Sequence, residues 1–397
     1  MVRGSRKKIL IFTIPNDGHL NILRRLIRDH HGSHTFGLVL VDQKNTPPDL
    51  STVAAEVFTP KRAESYVNTP ASAVFTRVAD VLDECLAIAC DFQPDLILYD
   101  FCALEGHFAG QVLGLRHWSS IPGLVGPLTN RDYLGRSLAS DGNQDAIAAL
   151  WDDHRISIDQ SNVELISNSL HVPAERNLLW SYPSVTPHDF RTNRAAAEYQ
   201  FVGYPFDGHQ RSSKPSHSAP LVYLSFGTEV MDNLWPAQEP TRTGVRRCVA
   251  GLARRWEPLG IDVVFATQGQ TVLDRYPANW TVRGNVDQQK VLSHADVFVT
   301  HGGANSVHEA LLSKVPMVVT PFFGDQTLTS RRVEQMGIGV ALGADDDVDT
   351  EKPKHFLNDD LTTRIDQAVR RILRDHSFRD SLHRVALNAT PALDALG

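Results

Sequence analysis

Residues 299–326, VTHGGANSVHEALLSKVPMVVTPFFGDQ, decide how the rest of this chain is interpreted. An apolar run stops at His301 and two glycines, a helical pattern follows, and a second apolar run stops at Asp325-Gln326. Successive strands that end in polar residues, with a helix between them, are typical of a parallel α/β sheet. Ligands of such sheets bind beyond the carboxyl ends of the strands. The stretch therefore predicts a ligand site at one sheet edge.

The helix start within this stretch has the features of a phosphate site. Glycines at 302 and 303 allow close backbone approach, and a helix N-terminus offers unpaired N–H groups with a positive partial charge. Asn305 and Ser306 fall in the first turn and add donors. Glu309 follows one turn later on the same face, where a carboxylate suits ribose hydroxyls. Together these residues predict a nucleotide site.

The carboxylate and carboxamide of Asp325 and Gln326 are hydrogen-bonding groups suited to the hydroxyls of a sugar. A lone His-Gly-Gly is more often a plain strand-to-helix turn, with His301 capping the strand. The ordered set of phosphate donors, ribose acceptor and sugar ligands favours a nucleotide-sugar site instead.

Strands alternate with helices on both sides of one polar break, which implies parallel sheets. The first half begins with KKILIFTIP (7–15), and the second restarts with LVYLSFGT (221–228). Between them YPFDGHQRSSKPSHSAP (204–220) has the composition of a linker. We predict an N-terminal domain, 1–208, a linker, 209–219, a C-terminal domain, 220–375, and a helical segment, 376–397. Residues 127–200 give no clear pattern.

Composition limits the possible functions. The 397 residues are 42% hydrophobic and 21% charged, as in soluble globular proteins, and a net charge of −7 argues against nucleic acid as a partner. No stretch is long enough to span a membrane, and the N-terminal apolar run is too short for a secretory signal. The four cysteines show no zinc spacing, so we expect free thiols. These features predict a soluble cytoplasmic protein, a monomer or a homodimer.

The stretch from residue 298, FVTHGGANSVHEALLSKVPMVVTPFFGDQ, closely resembles the donor signature of the nucleotide-sugar-dependent glycosyltransferases of the GT-B fold. This is the superfamily of plant, animal and antibiotic-producing bacterial UDP-glycosyltransferases. LVYLSFGT and NVDQQKVLSHAD (285–296) resemble further family segments in the family's order. The resemblance implies two Rossmann-like, doubly wound domains that face each other across a cleft. The N-terminal domain, 1–208, would bind the acceptor and the C-terminal domain, 220–375, the nucleotide-sugar donor. The segment 376–397 would pack back on the N-terminal domain.

The resemblance also implies individual donor contacts. Gly227 and Thr228 would approach the diphosphate, while Val286 and Gln288 would hold the base and ribose. The family usually has a base-stacking aromatic at the position of Asn285, so the sequence leaves UDP and TDP open. The remaining implied contacts are with phosphate for His301, Gly302, Gly303, Asn305 and Ser306, with ribose for Glu309, and with the transferred sugar for Asp325 and Gln326.

A catalytic candidate lies in IPNDGHLN (14–21), between the first strand and the first helix. His19 matches the family's catalytic histidine, and an imidazole with a pKa of roughly 6.5 suits proton removal from an acceptor hydroxyl. Asp100 ends the strand PDLILYD (94–100) and matches the second member of the family's dyad. Glu105 and His107 are nearby competitors for that role. An inverting transfer needs no metal, and the Asp run at 345–347 is interpreted as a solvated loop.

The acceptor is predicted to be a small, partly hydrophobic natural product, from the resemblance to the bacterial branch. Aromatic residues of the N-terminal half are candidates for its binding wall, although such residues are more often core. These candidates are Phe75, Phe101, Trp118, Tyr133 and Trp151.

Two other functions remain open at this stage. The same fold would serve a nucleotide-sugar epimerase or hydrolase, which the Gly-His of the first loop disfavours. A non-catalytic protein that binds a sugar nucleotide and activates a partner enzyme is the third hypothesis.

Overall fold

The structure is a computed structural model that describes residues 6–44, 47–123, 131–166, 169–186, 199–206, 219–322, 325–343 and 360–389. It forms two compact units, each with its own sheet and apolar core. Unit 1 comprises Met1–Pro205 with Leu387–Gly397, and unit 2 comprises Phe206–Ala386. Of the predicted linker, 209–219, only Ala219 is among the described residues.

Unit 1 is built on a parallel sheet of seven strands in the order β3-β2-β1-β4-β5-β8-β9. Its strands are β1 Lys8–Thr13, β2 Thr35–Leu40, β3 Glu56–Phe58, β4 Leu96–Asp100, β5 His117–Ile121, β8 Arg176–Leu179 and β9 Tyr199–Phe201. A separate antiparallel pair is formed by β6 Glu164–Ile166 and β7 Ser169–His171. The order of strands reverses between β1 and β4, which is where α/β sheets of this kind bind ligands.

The helices of unit 1 are α1 Asp17–His30, α2 Val74–Phe92, α3 Leu104–Leu113, α4 Arg131–Leu138 and α5 Asp141–His154. Helix α1 buries Leu20, Leu23 and Ile27 on one face, the spacing that an amphipathic helix on a sheet requires. All five residues of β4 are buried, as expected of a central parallel strand covered on both faces.

Unit 2 has a parallel sheet of six strands in the order β12-β11-β10-β13-β14-β15. The strands are β10 Leu221–Ser225, β11 Asp262–Ala266, β12 Trp280–Arg283, β13 Val297–Thr300, β14 Met317–Val319 and β15 Gly339–Ala341. The helices are α6 Glu239–Trp256, α7 Gln288–Leu292, α8 Ala304–Leu312, α9 Gln326–Gln335, α10 Leu361–Arg374 and α11 Ser377–Arg384. A π-helical turn, Glu229–Leu234, follows β10. This strand order is that of a Rossmann sheet, and its switch point lies between β10 and β13.

The predicted fold class, α/β with two doubly wound parallel sheets, is confirmed. The polar run at 345–347 and part of the unassigned region, 127–200, lie outside the described residues. Within that region β8 and β9 extend the sheet of unit 1, an extension that three- and four-residue strands do not reveal by periodicity. No helix in the described part of the chain has both the length and the apolar character to cross a membrane.

Candidate active site

The structure brings His19 and Asp100 together at the switch point of unit 1. His19 lies in the first turn of α1, directly after β1, and Asp100 ends the neighbouring strand β4. The Nδ1 atom of His19 is 2.8 Å from Oδ2 of Asp100. The carboxyl group is 1% exposed and the imidazole 18%, so the histidine is the member of the pair that solvent or a substrate can reach.

The turn after β4 fixes the orientation of the Asp100 carboxyl group. Its Oδ1 accepts a hydrogen bond of 2.9 Å from the backbone N–H of Cys102. Asp100 does not cap the next helix, because α3 begins at Leu104 after Ala103, without a side-chain cap. Both carboxyl oxygens are therefore engaged, one by the turn and one by His19.

Neither competitor of Asp100 is paired with His19. Glu105 is fully buried and accepts a 2.8 Å hydrogen bond from Nε of Arg77. His107 is also buried, with Nδ1 3.2 Å from the hydroxyl of Tyr99. Both residues belong to the first turn of α3, and their side chains are buried.

The buried side chain of Arg77 also contacts the turn that follows β4. The guanidinium of Arg77 donates to the Cys102 carbonyl at 2.6 Å and to Asp42 at 3.0 Å, in addition to Glu105. Desolvated charges are tolerated when paired and hydrogen-bonded in this way. Sequence analysis missed Arg77, because an arginine within an amphipathic helix is ordinarily on its solvated face.

In unit 2, His301 follows β13 and its ring occupies the space beside two glycines. A Cβ added to Gly227 would lie 2.2 Å from Cε1 of His301, and one added to Gly303 would lie 2.4 Å from Nε2. Gly227 also has a positive φ of 82°. We predicted that these glycines leave room for a ligand. In the structure the space beside them is occupied by the imidazole of His301.

The glycine contact predicts that Gly303→Ala destabilises unit 2. The φ of Gly303 is −60°, which any residue adopts, so the cost is the contact with His301 alone. We expect a loss of about 1–3 kcal/mol in the free energy of unfolding, measured by denaturant titration. Gly32→Ala is the control, because nothing lies within 4 Å of its added Cβ. In a Gly303→Ala/His301→Ala double variant the losses should be less than additive; strict additivity would contradict this contact.

The start of α8 is the predicted anion site, and its binding of an anion stays a prediction. Gly302 has a φ of 89° and directs the chain into α8, whose N-cap residue, Gly303, offers no side-chain cap. Asn305 and Ser306 lie in the first turn, as predicted. Burial lowers the pKa of His301 to about 4. At neutral pH His301 is therefore a neutral hydrogen-bonding group, and the positive potential comes from the helix start.

Gln288 and Glu309, predicted to contact the ribose, form one hydrogen-bonded network with Ser306, which was predicted to contact phosphate. Gln288, the first residue of α7, donates through Nε2 to Glu309 Oε2 at 2.7 Å and to Ser306 Oγ at 3.4 Å. Its Oε1 accepts from the hydroxyl of Tyr223 at 2.9 Å. Tyr223 is a buried residue of β10 that sequence analysis missed; a hydroxyl inside an apolar strand was the available signal.

The other predicted donor residues lie in the connections between the strands and helices of unit 2. Thr228 opens the π-helical turn after β10, and Val286 is half-buried just before α7. Asp325 precedes α9 and is half-buried. Gln326 is 4% exposed, and its Oε1 accepts from the backbone N–H of Phe322 at 2.7 Å. In this structure the Gln326 side chain is hydrogen-bonded to the backbone of Phe322. Its contact with a sugar stays a prediction.

The aromatic candidates for the acceptor wall divide into two groups. Phe75 and Trp118 are 0% and 2% exposed and belong to the interior of unit 1, so they are withdrawn as wall residues. Phe101 is also mostly buried, but its ring centroid is 5.3 Å from that of His19. Tyr133 is half-buried on α4 and Trp151 is 50% exposed on α5. The last three stay predictions.

Buried neutral histidines predict that acid destabilises both units. Burial lowers the pKa of His171 to about 3 and that of His308, like His301, to about 4. Because these values lie below the unfolded value near 6.5, the unfolded chain binds more protons as the pH falls through that range. The stabilisation is complete above about pH 6.5 and is lost progressively towards pH 4.

Denaturant titrations at pH 7.5, 6.0 and 5.0 measure this effect. We expect the free energy of unfolding to fall at each step, and His308→Gln to show a smaller fall than the unaltered chain. His383→Gln, at an exposed position, should leave the pH dependence unchanged. A free energy of unfolding that is constant from pH 7.5 to 5.0 would rule out this explanation.

Comparisons with known proteins agree with the geometry. The family model described as UDP-glucoronosyl and UDP-glucosyl transferase matches residues 256–385. The chain is 30% identical over 266 residues to the NDP-glycosyltransferase YjiC of Bacillus subtilis (strain 168). That alignment covers 64% of this chain and 61% of that relative.

Two solved structures are similar over nearly their whole length. The glycotransferase of kitacinnamycin has a TM-score of 0.70 and 21% identity, covering 96% of this chain and 94% of its own. The spinosyn rhamnosyltransferase SpnG complexed with thymidine diphosphate has a TM-score of 0.65 and 20% identity, covering 98% and 99%.

Proposed function

We propose that this chain, which has the GT-B fold and whose residues 256–385 match the UDP-glucoronosyl and UDP-glucosyl transferase family, is an inverting glycosyltransferase. It transfers a sugar from a UDP- or TDP-linked donor to a hydroxyl of a small acceptor, in natural-product biosynthesis. The observation that carries the proposal is the 2.8 Å pairing of His19 with Asp100 in unit 1. In this proposal unit 1 binds the acceptor and unit 2 the donor.

His19 acts as the general base through Nε2. An ionised carboxylate only accepts hydrogen bonds, so Nδ1 carries the proton in the pair with Asp100, and Nε2 has the lone pair. As the acceptor oxygen attacks the anomeric carbon, its proton passes to Nε2. Asp100 then stabilises the imidazolium, in the way that the aspartate of a hydrolase triad does.

The donor is activated by the start of α8. The bond between the anomeric carbon and the diphosphate oxygen breaks as the new glycosidic bond forms, on the opposite face of the carbon, which inverts its configuration. The diphosphate leaves with one added negative charge, which the first-turn N–H groups and the helix dipole stabilise. This chemistry requires no metal ion.

Gln288 and Glu309 are proposed to hold the nucleoside. Glu309 already accepts a hydrogen bond from Gln288, so ribose hydroxyls would join or replace an existing pair. Asn285 is exposed and has no aromatic face to offer a base. The similarity to a rhamnosyltransferase complexed with thymidine diphosphate supports TDP as one donor nucleotide.

Incubation with UDP-glucose or TDP-glucose and a panel of phenols, macrolides and aminocyclitols tests the function. We expect a glycoside product by mass spectrometry, with the anomeric configuration opposite to that of the donor by NMR. Activity should persist in EDTA. Epimerised or hydrolysed donor without a glycoside would favour the epimerase or hydrolase, and nucleotide binding without turnover would favour the accessory protein.

A further inference from the structure

His19, Asp100 and Cys102 form a cluster with three different ligand chemistries. A ring nitrogen of His19, a carboxylate oxygen of Asp100 and the Sγ of Cys102 all lie within 4.8 Å of one another. The His19 nitrogen that faces Asp100 is Nδ1. Among the described residues this is the group of three or more such side chains whose ligand atoms converge to that extent. The sequence spacing did not reveal it, because His19 comes from a different strand end.

We propose that this cluster binds a zinc ion, which switches off the base. Zinc accepts imidazole nitrogen, carboxylate oxygen and thiolate sulfur together, commonly with three protein ligands and one water. Calcium and magnesium take oxygen ligands and are disfavoured by the nitrogen and sulfur. This mixed set therefore fits a borderline-soft divalent cation.

Charge balance supports the same ion. A neutral imidazole, one carboxylate and one thiolate carry a total charge of −2, which Zn²⁺ neutralises, so the complex can be buried without a net charge. The positive charge of Arg77 lies close by, on the Cys102 carbonyl, but two carboxylates, Asp42 and Glu105, are paired with it. Zinc displaces the proton of the Cys102 thiol as it binds, because the thiolate is the ligand.

The ligand atoms need only a modest rearrangement to hold zinc. Zinc bonds of about 2.0–2.3 Å in a tetrahedron separate the ligand atoms by about 3.3–3.6 Å. The Sγ atom of Cys102 thus moves closer to the other two atoms by up to about 1.2–1.5 Å, and the 2.8 Å pair of His19 and Asp100 lengthens by about 0.5 Å. Side-chain rotation of Cys102 and of the partly exposed His19 can supply both movements. The exposed fraction of His19 also gives the ion a route from solvent.

Zinc binding would inhibit the transfer through the tautomer of His19. A neutral imidazole carries one proton, and zinc on Nδ1 forces that proton onto Nε2. The nitrogen that must accept the acceptor's proton then becomes a donor, and the Asp100 hydrogen bond is lost to the metal. This consequence rests on the proposed function, whereas zinc binding itself does not.

Metal binding is tested first without any substrate. Titration of the full chain with Co²⁺ alone should give one equivalent of thiolate-to-cobalt charge-transfer absorption, and Zn²⁺ should displace it. The matched variants are Cys102→Ser and Cys90→Ser, the second removing an exposed free thiol. We expect a loss of affinity of tenfold or more for Cys102→Ser and none for Cys90→Ser.

Three outcomes would overturn the proposal. The first is the absence of thiolate-to-cobalt absorption in the unaltered chain, and the second is equal zinc affinity in the two variants. The third is a loss of zinc affinity in Cys90→Ser but not in Cys102→Ser. If Cys102→Ser misfolds, the thiolate-to-cobalt absorption of the unaltered chain still tests the proposal, because it needs no variant. If a transferase assay is active, zinc should inhibit the unaltered enzyme at concentrations at least tenfold lower than for Cys102→Ser, reversibly with EDTA. A chain that binds zinc but transfers no sugar would refute the function and leave the site intact.

Discussion

His19→Ala is expected to lower kcat for sugar transfer by a factor of about 10²–10⁴, the usual contribution of a general base. The acceptor hydroxyl has a pKa far above neutral, and alanine leaves no group to take its proton. Nucleotide affinity should stay nearly unchanged, because His19 belongs to unit 1 and the predicted nucleotide ligands belong to unit 2. Steady-state kinetics with calorimetry on UDP and TDP measures both quantities.

The controls for His19 separate base catalysis from folding. His31→Ala, on an exposed histidine next to the end of the same helix, should retain full activity. Asp100→Asn removes the charge that stabilises the imidazolium, and we expect it to lower kcat as well. A comparable loss of kcat and nucleotide affinity in His19→Ala would contradict the assignment of His19 as the base.

Glu309→Ala is expected to weaken nucleotide binding by about 1.5–3 kcal/mol, the range for a hydrogen bond to a charged group. That corresponds to roughly a tenfold to hundredfold higher Kd. The variant removes the proposed ribose acceptor and also the carboxylate that positions Gln288. Calorimetric titration with UDP and TDP measures the change, and a smaller loss is expected for Glu309→Gln, which keeps an acceptor oxygen.

A double-variant cycle tests the Gln288 contact. If Glu309 acts partly by holding Gln288, the losses in Glu309→Ala and Gln288→Ala should be less than additive. Glu334→Ala, at an exposed position of α9, is the control and should bind as the unaltered chain does. An unchanged Kd in Glu309→Ala would remove this residue from the proposed ribose site.

The sequence by itself determined the fold class and the local parts of the site. The alternation of apolar runs with helical patterns predicted two parallel sheets, and both sheets are observed. One connection, from β13 into α8, contains five of the predicted residues: His301, Gly302, Gly303, Asn305 and Ser306. Their order along the chain fixes their proximity. Local backbone geometry is enough to predict such a cluster.

Only the tertiary structure decided which distant residues meet. His19 and Asp100 are 81 positions apart, and the parallel pairing of β1 with β4 brings them together, while Glu105 is directed to Arg77. Packing also showed that His301 occupies the space left by Gly227 and Gly303. Side-chain direction depends on strand register and on the core around it, and neither is written in the spacing of residue types.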